Sequence, residues 1–226
     1  MTKESEENEH NAGLPRRPFG YIDLDFFPAS PAQGPFFELL LHAPQYGLPL
    51  IRKLVDYAIS FMSGGLGYGT NAMTVVFPDV RERVFPWHQS YGWSRDWGGG
   101  SSIVTSALMA LESWAHDRIE AKDPIDRVID DVIGAGNAPA AYLLLVVDLL
   151  LSHWPKSQDA AIPFLACPEL LCFDRQREVV ENNKIPDIFG VEELLKRKEP
   201  IGKASLDSLK ERPSRRRCRN RSRRAC

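Results

Sequence analysis

The sequence predicts a mostly α-helical fold, an irregular solenoid-like array of helical hairpins with one small β-hairpin insertion. Three observations carry that expectation. Apolar residues recur three and four positions apart in separate stretches between Phe36 and Ile133, the period of a helix with one buried face. A further stretch, Ala138 to Val147, is apolar on every side and so belongs at the centre of a helical packing. Strand-forming residues gather in one place only, between Thr74 and Trp87, which is too little for a parallel sheet. No internal repeat is evident, hence an irregular array.

Taken in order, residues 1–18 form a polar, acidic segment with no apolar period, expected to be disordered. An aromatic entry segment, Phe19 to Phe27, leads to Pro28, Pro31, Gly34 and Pro35, after which a helix begins. Phe36 to Leu41 make a short apolar helix. Pro44 and Gly47 interrupt it, and Leu48, Leu50, Ile51, Leu54, Val55, Ala58 and Ile59 resume the helical period up to Ser63-Gly64-Gly65, giving a helical hairpin. Residues 64–100 break the pattern with many glycines. Within them Thr74 to Phe77 and Arg83 to Trp87 predict a β-hairpin, read as an edge insertion.

Ser101 or Ser102 then caps a helix whose apolar side runs through Val104, Ala107, Leu108, Leu111, Trp114 and Ala115. Asp123 is expected to cap the next, with Pro124 in its first position and a stripe of Ile125, Val128, Ile129, Val132 and Ile133 ending at Gly134. Asn137 is expected to cap the all-apolar helix, which Pro155 ends. Pro163 and Pro168 divide residues 158–181 into shorter helices, and Val191 to Lys198 make a last amphipathic turn. The domain therefore spans residues 19–200, followed by an arginine-rich tail, residues 201–226.

With 226 residues, 43% hydrophobic and 26% charged, the chain has enough apolar material for one sizeable core. The longest nearly unbroken apolar stretch, Ala138 to Leu151, carries Asp148 and falls short of the ~18 residues that span a bilayer, so no membrane association is expected. The acidic start differs from a secretory signal, and four cysteines are few, which places the expected location in the cytoplasm. The net charge of −2 conceals eight arginines after residue 211, without which the remainder stands at −10. Two readings of the tail stay open: an out-of-frame end, or a basic arm. As an arm it is the one part expected to bind nucleic acid, with an affinity that falls steeply with salt.

Candidate chemistry is sparse. The glycine run Ser63 to Thr70 follows a helix and lacks the lysine of a phosphate loop. Gly98-Gly99-Gly100-Ser101-Ser102 opens a helix and reads more simply as its cap. The five histidines show no helical two-histidine spacing and Cys167 and Cys172 have no second pair, so neither a metal nor any other cofactor is expected. The densest feature is the aromatic loop around Trp87, Trp93 and Trp97. If it binds a ligand, these rings stack on a sugar or base and Arg95 orients it; otherwise they anchor the insertion, with Arg95 and Asp96 as a local pair. In the carbohydrate-enzyme version Asp96 and Glu112 form the acid pair, although Glu112, Asp117 and Glu120 read as a solvated helix face. Asp148, alone among leucines and valines, requires an arginine, a tryptophan N–H or a helix N-terminus as its partner. His153 reads as a helix cap or a hydrogen-bonded core edge.

The stretches Gly34-Pro35-Phe36-Phe37-Glu38-Leu39-Leu40, Ala43-Pro44 to Val55, and Ser106-Ala107-Leu108-Met109-Ala110-Leu111-Glu112 to Trp114 resemble the helical region of very large bacterial proteins labelled only as ATP-binding proteins. The resemblance covers residues 19–200 and implies a fragment or truncated relative without the nucleotide-binding part. The expected function is a non-catalytic helical scaffold that binds a protein partner or the missing domains of a longer chain. A helical-toroid enzyme acting on carbohydrate through residues 85–97 is the alternative.

Overall fold

The computed structural model describes residues 29–63, 72–78, 81–95 and 101–182. The expectations for residues 1–18, the aromatic entry before Ala29, the turn at Val191 to Lys198 and the arginine-rich tail lie outside the described residues. The fold is mostly helical with a two-stranded antiparallel sheet. Among the described residues no helix is long and apolar enough to cross a membrane.

Helices α1 (Phe36–His42) and α2 (Pro44–Met62) form the expected hairpin. The chain turns at Ala43, and α2 starts at once because Pro44, at its first position, has no N–H to satisfy. Gly47 thus lies inside α2 where the periodicity alone places a break. Its role is steric: a Cβ there would stand 3.0 Å from the Leu40 nitrogen and 3.1 Å from the Leu39 carbonyl carbon, so the two helices meet backbone to backbone. Backbone atoms cannot swing aside. Gly47→Ala is therefore expected to cost about 1–3 kcal/mol, the usual penalty of overpacking, seen as a lower midpoint of urea unfolding. A midpoint equal to or above the parent's refutes the contact.

Strands β1 (Ala72–Val76) and β2 (Glu82–Pro86) pair antiparallel, with Thr74 opposite Val84 and Met73 opposite Phe85. The hairpin is no edge insertion. Met73, Val75 and Phe85 are buried in the same core as the helices, because alternation turns these side chains onto one face and that face lies on the helical layer. Two single 3₁₀ turns, His88–Ser90 and Trp93–Arg95, lead on toward α3.

Helix α3 (Ser102–Glu120) is the centre of the molecule and touches α1, α2, α4 and α5. Small residues, Ser106, Ala107, Ala110 and Ala115, let neighbours approach it from several sides, so nearly every residue from Ser102 to Ala115 is buried. Ser106 also takes the backbone N–H of Ser30 on its Oγ at 3.1 Å, tying the start of the described chain to this helix. Ser101 stands at the N-cap without a side-chain cap bond.

Helix α4 (Ile125–Ile133) buries Val128, Ile129, Val132 and Ile133 of the predicted stripe, each worth about 1.5–3 kcal/mol of transfer free energy, while Ile125 at its start is half-buried. Asp123 does not cap it. Its carboxylate accepts from Arg118 Nε at 2.6 Å, and Arg118 also donates to Asp131 at 2.5 Å, which clamps the turn between α3 and α4. The all-apolar segment begins as a 3₁₀ turn, Ala140–Tyr142, after Pro139, and only then becomes α5 (Leu143–Ser152). Asn137 is exposed and caps nothing; the extended Pro139 precedes the turn instead. Helix α6 (Gln158–Leu165) runs through Pro163, whereas Pro168 opens α7 (Pro168–Asn182), so only the second proline is a boundary.

Candidate functional site

The sequence elements that frame the site are the turn Trp93–Arg95, the middle of α3 and the end of α5. Trp93 is fully buried and meets Trp87 edge to face, with ring centroids 5.3 Å apart and planes at 88°. A ring with no open face is no platform, so Trp93 as a ligand-binding residue is corrected: it is a core anchor. Its backbone carbonyl accepts from Thr105 Oγ1 at 2.8 Å, pinning the turn to α3. Trp87, half-buried, covers it from outside. Tyr91 is buried as well and donates its hydroxyl to Asp174 of α7 at 2.9 Å. Burial, reinforced by the Asp174 charge, holds that phenol far above its ordinary range, so it keeps its proton. Trp97 and Asp96 lie outside the described residues.

Pinning this turn aims Arg95 inward. Its NH1 and NH2 donate to the two carboxylate oxygens of Glu112, at 2.6 and 2.5 Å, a bidentate pair with almost no solvent exposure on either side. Glu112 is thus corrected twice. It lies on a helix surrounded by neighbours instead of on a solvated face, and the guanidinium occupies both its oxygens, which leaves no lone carboxylate for an acid pair. Arg95 is likewise corrected from a ligand-orienting loop residue to a buried counter-ion. Asp117 and Glu120, by contrast, are exposed as expected. Partial loss of hydration, with Glu120 nearby, pushes the Asp117 carboxyl up.

Asp148 finds the required arginine. Arg95 NH2 stands 3.6 Å from its Oδ1, and His116 Nε2 approaches Oδ2 at 3.2 Å. The other ring nitrogen of His116, Nδ1, lies 3.1 Å from Nε2 of His153, the residue that closes the C-terminus of α5. The five side chains form one line: Glu112, Arg95, Asp148, His116, His153. It starts in the fully covered core and ends at partly exposed imidazoles, His116 keeping 18% of its side chain in contact with solvent.

Proton placement along this line follows from donor and acceptor chemistry. An ionised carboxylate only accepts, so His116 carries a hydrogen on Nε2. One hydrogen at most then fits between Nδ1 of His116 and Nε2 of His153, because two facing N–H groups repel. Two acids, Glu112 and Asp148, share the Arg95 guanidinium, which places negative charge beside the imidazoles.

Ligating atoms of Glu112, His116 and Asp148 lie within 4.8 Å of one another. The expectation of no metal rested on spacing along the chain, and the fold joins residues that spacing separates; the imidazole contact spans 37 positions. Elsewhere, Cys167 is buried and its thiol is pushed up by that burial, the opposite of an activated nucleophile. An open cleft of about 560 Å³ is lined by Arg52, Arg81, Arg83, Glu82, Asp130 and Asp131 among others, three cations against three acids. Two of those arginines are already committed to the backbone, Arg52 to the Asp131 carbonyl at 2.6 Å and Arg83 to the Gly134 carbonyl. Compared with protein-family models and with curated proteins, the chain matches none of either.

Proposed function

We propose that the chain is a non-catalytic helical scaffold segment, a solenoid-like stack whose first and last layers pack against further helices of a partner protein or of a longer chain. The observation that supports this is where the uncovered apolar side chains fall. Leu41, Tyr46 and Leu50 stand out on the α1–α2 layer, and Ile162, Leu165, Leu171 and Val179 on the α6–α7 layer, while α3 is covered along most of its length and α5 exposes only Leu151 near its end. Tyr46 and Ile162 leave 69% and 58% of their surfaces in solvent. Isolated exposed apolar residues are ordinary; their grouping on both flanks of a covered centre matches a stack with a neighbour at each end.

The sequence resemblance to helical regions of very large bacterial proteins fits the same reading. The carbohydrate-enzyme alternative gains no support, since Trp93 offers no face and Glu112 is held by Arg95.

The full chain is expected to bind an apolar dye and to associate with rising concentration in light scattering. Tyr46→Glu with Leu50→Glu on one flank, or Ile162→Glu with Leu165→Glu on the other, should reduce both signals at least severalfold without lowering helix content. A monomer that binds no dye, unaffected by these changes, overturns the scaffold reading.

A further inference from the structure

We infer that His116 and His153 form a binding site for a divalent transition-metal ion of the zinc class, which ties the outer half of α3 to the end of α5. Two imidazole nitrogens, His116 Nδ1 and His153 Nε2, face each other at 3.1 Å. Metal–imidazole bonds of about 2.0–2.1 Å at a tetrahedral angle set ligand nitrogens about 3.3 Å apart, so the separation suits a bridging ion once each ring turns its lone pair about 35° off the N–N line. The two rings are tilted by 38° with their centroids 5.2 Å apart, and neither is stacked face to face on the other.

The surroundings are those of a metal-binding imidazole. Asp148 accepts the Nε2 hydrogen of His116 and so leaves the Nδ1 lone pair outward, the carboxylate–histidine arrangement that orients zinc ligands. Arg95 and Glu112 hold Asp148 in turn, which gives the buried charge line a purpose as support for its exposed end. His153 closes the C-terminus of α5, the negative end of that helix dipole, where a cation is favoured. Partial exposure of His116 supplies an entry path and water for the remaining coordination positions. Glu112 is excluded as a direct ligand, because an ion on its oxygens would face the guanidinium that already occupies both.

The site stands apart from the scaffold reading, and a soluble, folded chain suffices to test it. The full-length protein, with His10, Cys218 and Cys226 replaced by alanine or serine so that they compete for nothing, is titrated with Zn²⁺ against a chromophoric chelator. One equivalent per chain is expected, with a rise in melting temperature, and Co²⁺ should give the visible absorption of a four-coordinate ion. His153→Ala, at the partly exposed end and without demand on the core, should weaken binding at least tenfold. Asp148→Asn should weaken it about 10–100-fold. His42→Ala, an exposed residue at the end of α1 that pairs with Glu38, should change nothing. No bound ion in the parent overturns the site. So does undiminished affinity in His153→Ala, and so does loss of the ion in Glu112→Gln while His153→Ala retains it, which would place the ion at the Glu112 end.

Discussion

Arg95→Ala is expected to cost about 3–5 kcal/mol of folding stability, the penalty of leaving a buried carboxylate without its partner. Glu112 has no solvent to fall back on, and both its oxygens accept from the same guanidinium. Asp148 loses its arginine in the same step. Glu112→Gln should cost less, since the amide still hydrogen-bonds Arg95 and Arg95 keeps Asp148. The double variant Arg95→Met with Glu112→Leu should recover much of the loss, because well-packed apolar residues often replace a buried ion pair with little change in stability. Urea unfolding followed by circular dichroism measures all three. Equal midpoints for Arg95→Ala and the parent protein mean that the pair is exposed in solution and the charge line does not exist there.

Trp93→Ala should be similarly severe, about 3–5 kcal/mol, the range for deleting a large buried ring. The ring fills space between Trp87 and α3, and its removal leaves a cavity that the pinned turn cannot close. Trp87→Ala, at a half-buried position, should cost clearly less. The contrast separates core anchor from ligand platform: a platform tryptophan loses binding when truncated and leaves stability nearly unchanged. A Trp93→Ala protein as stable as the parent would return the aromatic loop to the list of binding surfaces.

Much of the fold was legible because it follows from periodicity. The α4 stripe reads correctly since one face of that helix meets the core and the other meets water. The hairpin strands read correctly from their residue types, but their depth did not, as alternation shows which side chains share a face and not how thick the layer beneath is. Caps were the weakest part. Ser101, Asp123 and Asn137 are all good capping residues, yet none makes a cap bond, and the Asp123 carboxylate goes to Arg118 instead.

Half of the site was legible. Asp148 among leucines demands a partner whatever the fold, and the arginine it required is there. Glu112 misleads because the apolar spacing of α3 predicts a two-sided helix. The signal against that lies in Ser106, Ala107 and Ala115, small residues about 100° and 180° apart around one helix, which mark a helix packed on several sides, where a glutamate must be paired. The meeting of His116 with His153 had no local signal, since it exists only once α3 and α5 lie side by side.

The ties that cross the molecule bear on how it comes apart. Ser30 to Ser106, Arg52 to Asp131 and Tyr91 to Asp174 bridge 76, 79 and 83 positions respectively, whereas in a simple array each unit grips only its neighbours. Such long-distance stitching makes the chain slow to assemble for a helical protein, because distant segments must meet before any gain is realised. Once assembled, these ties couple the outer helices to the centre, so even as a layered stack the chain is expected to melt more cooperatively than an array held by neighbour contacts alone.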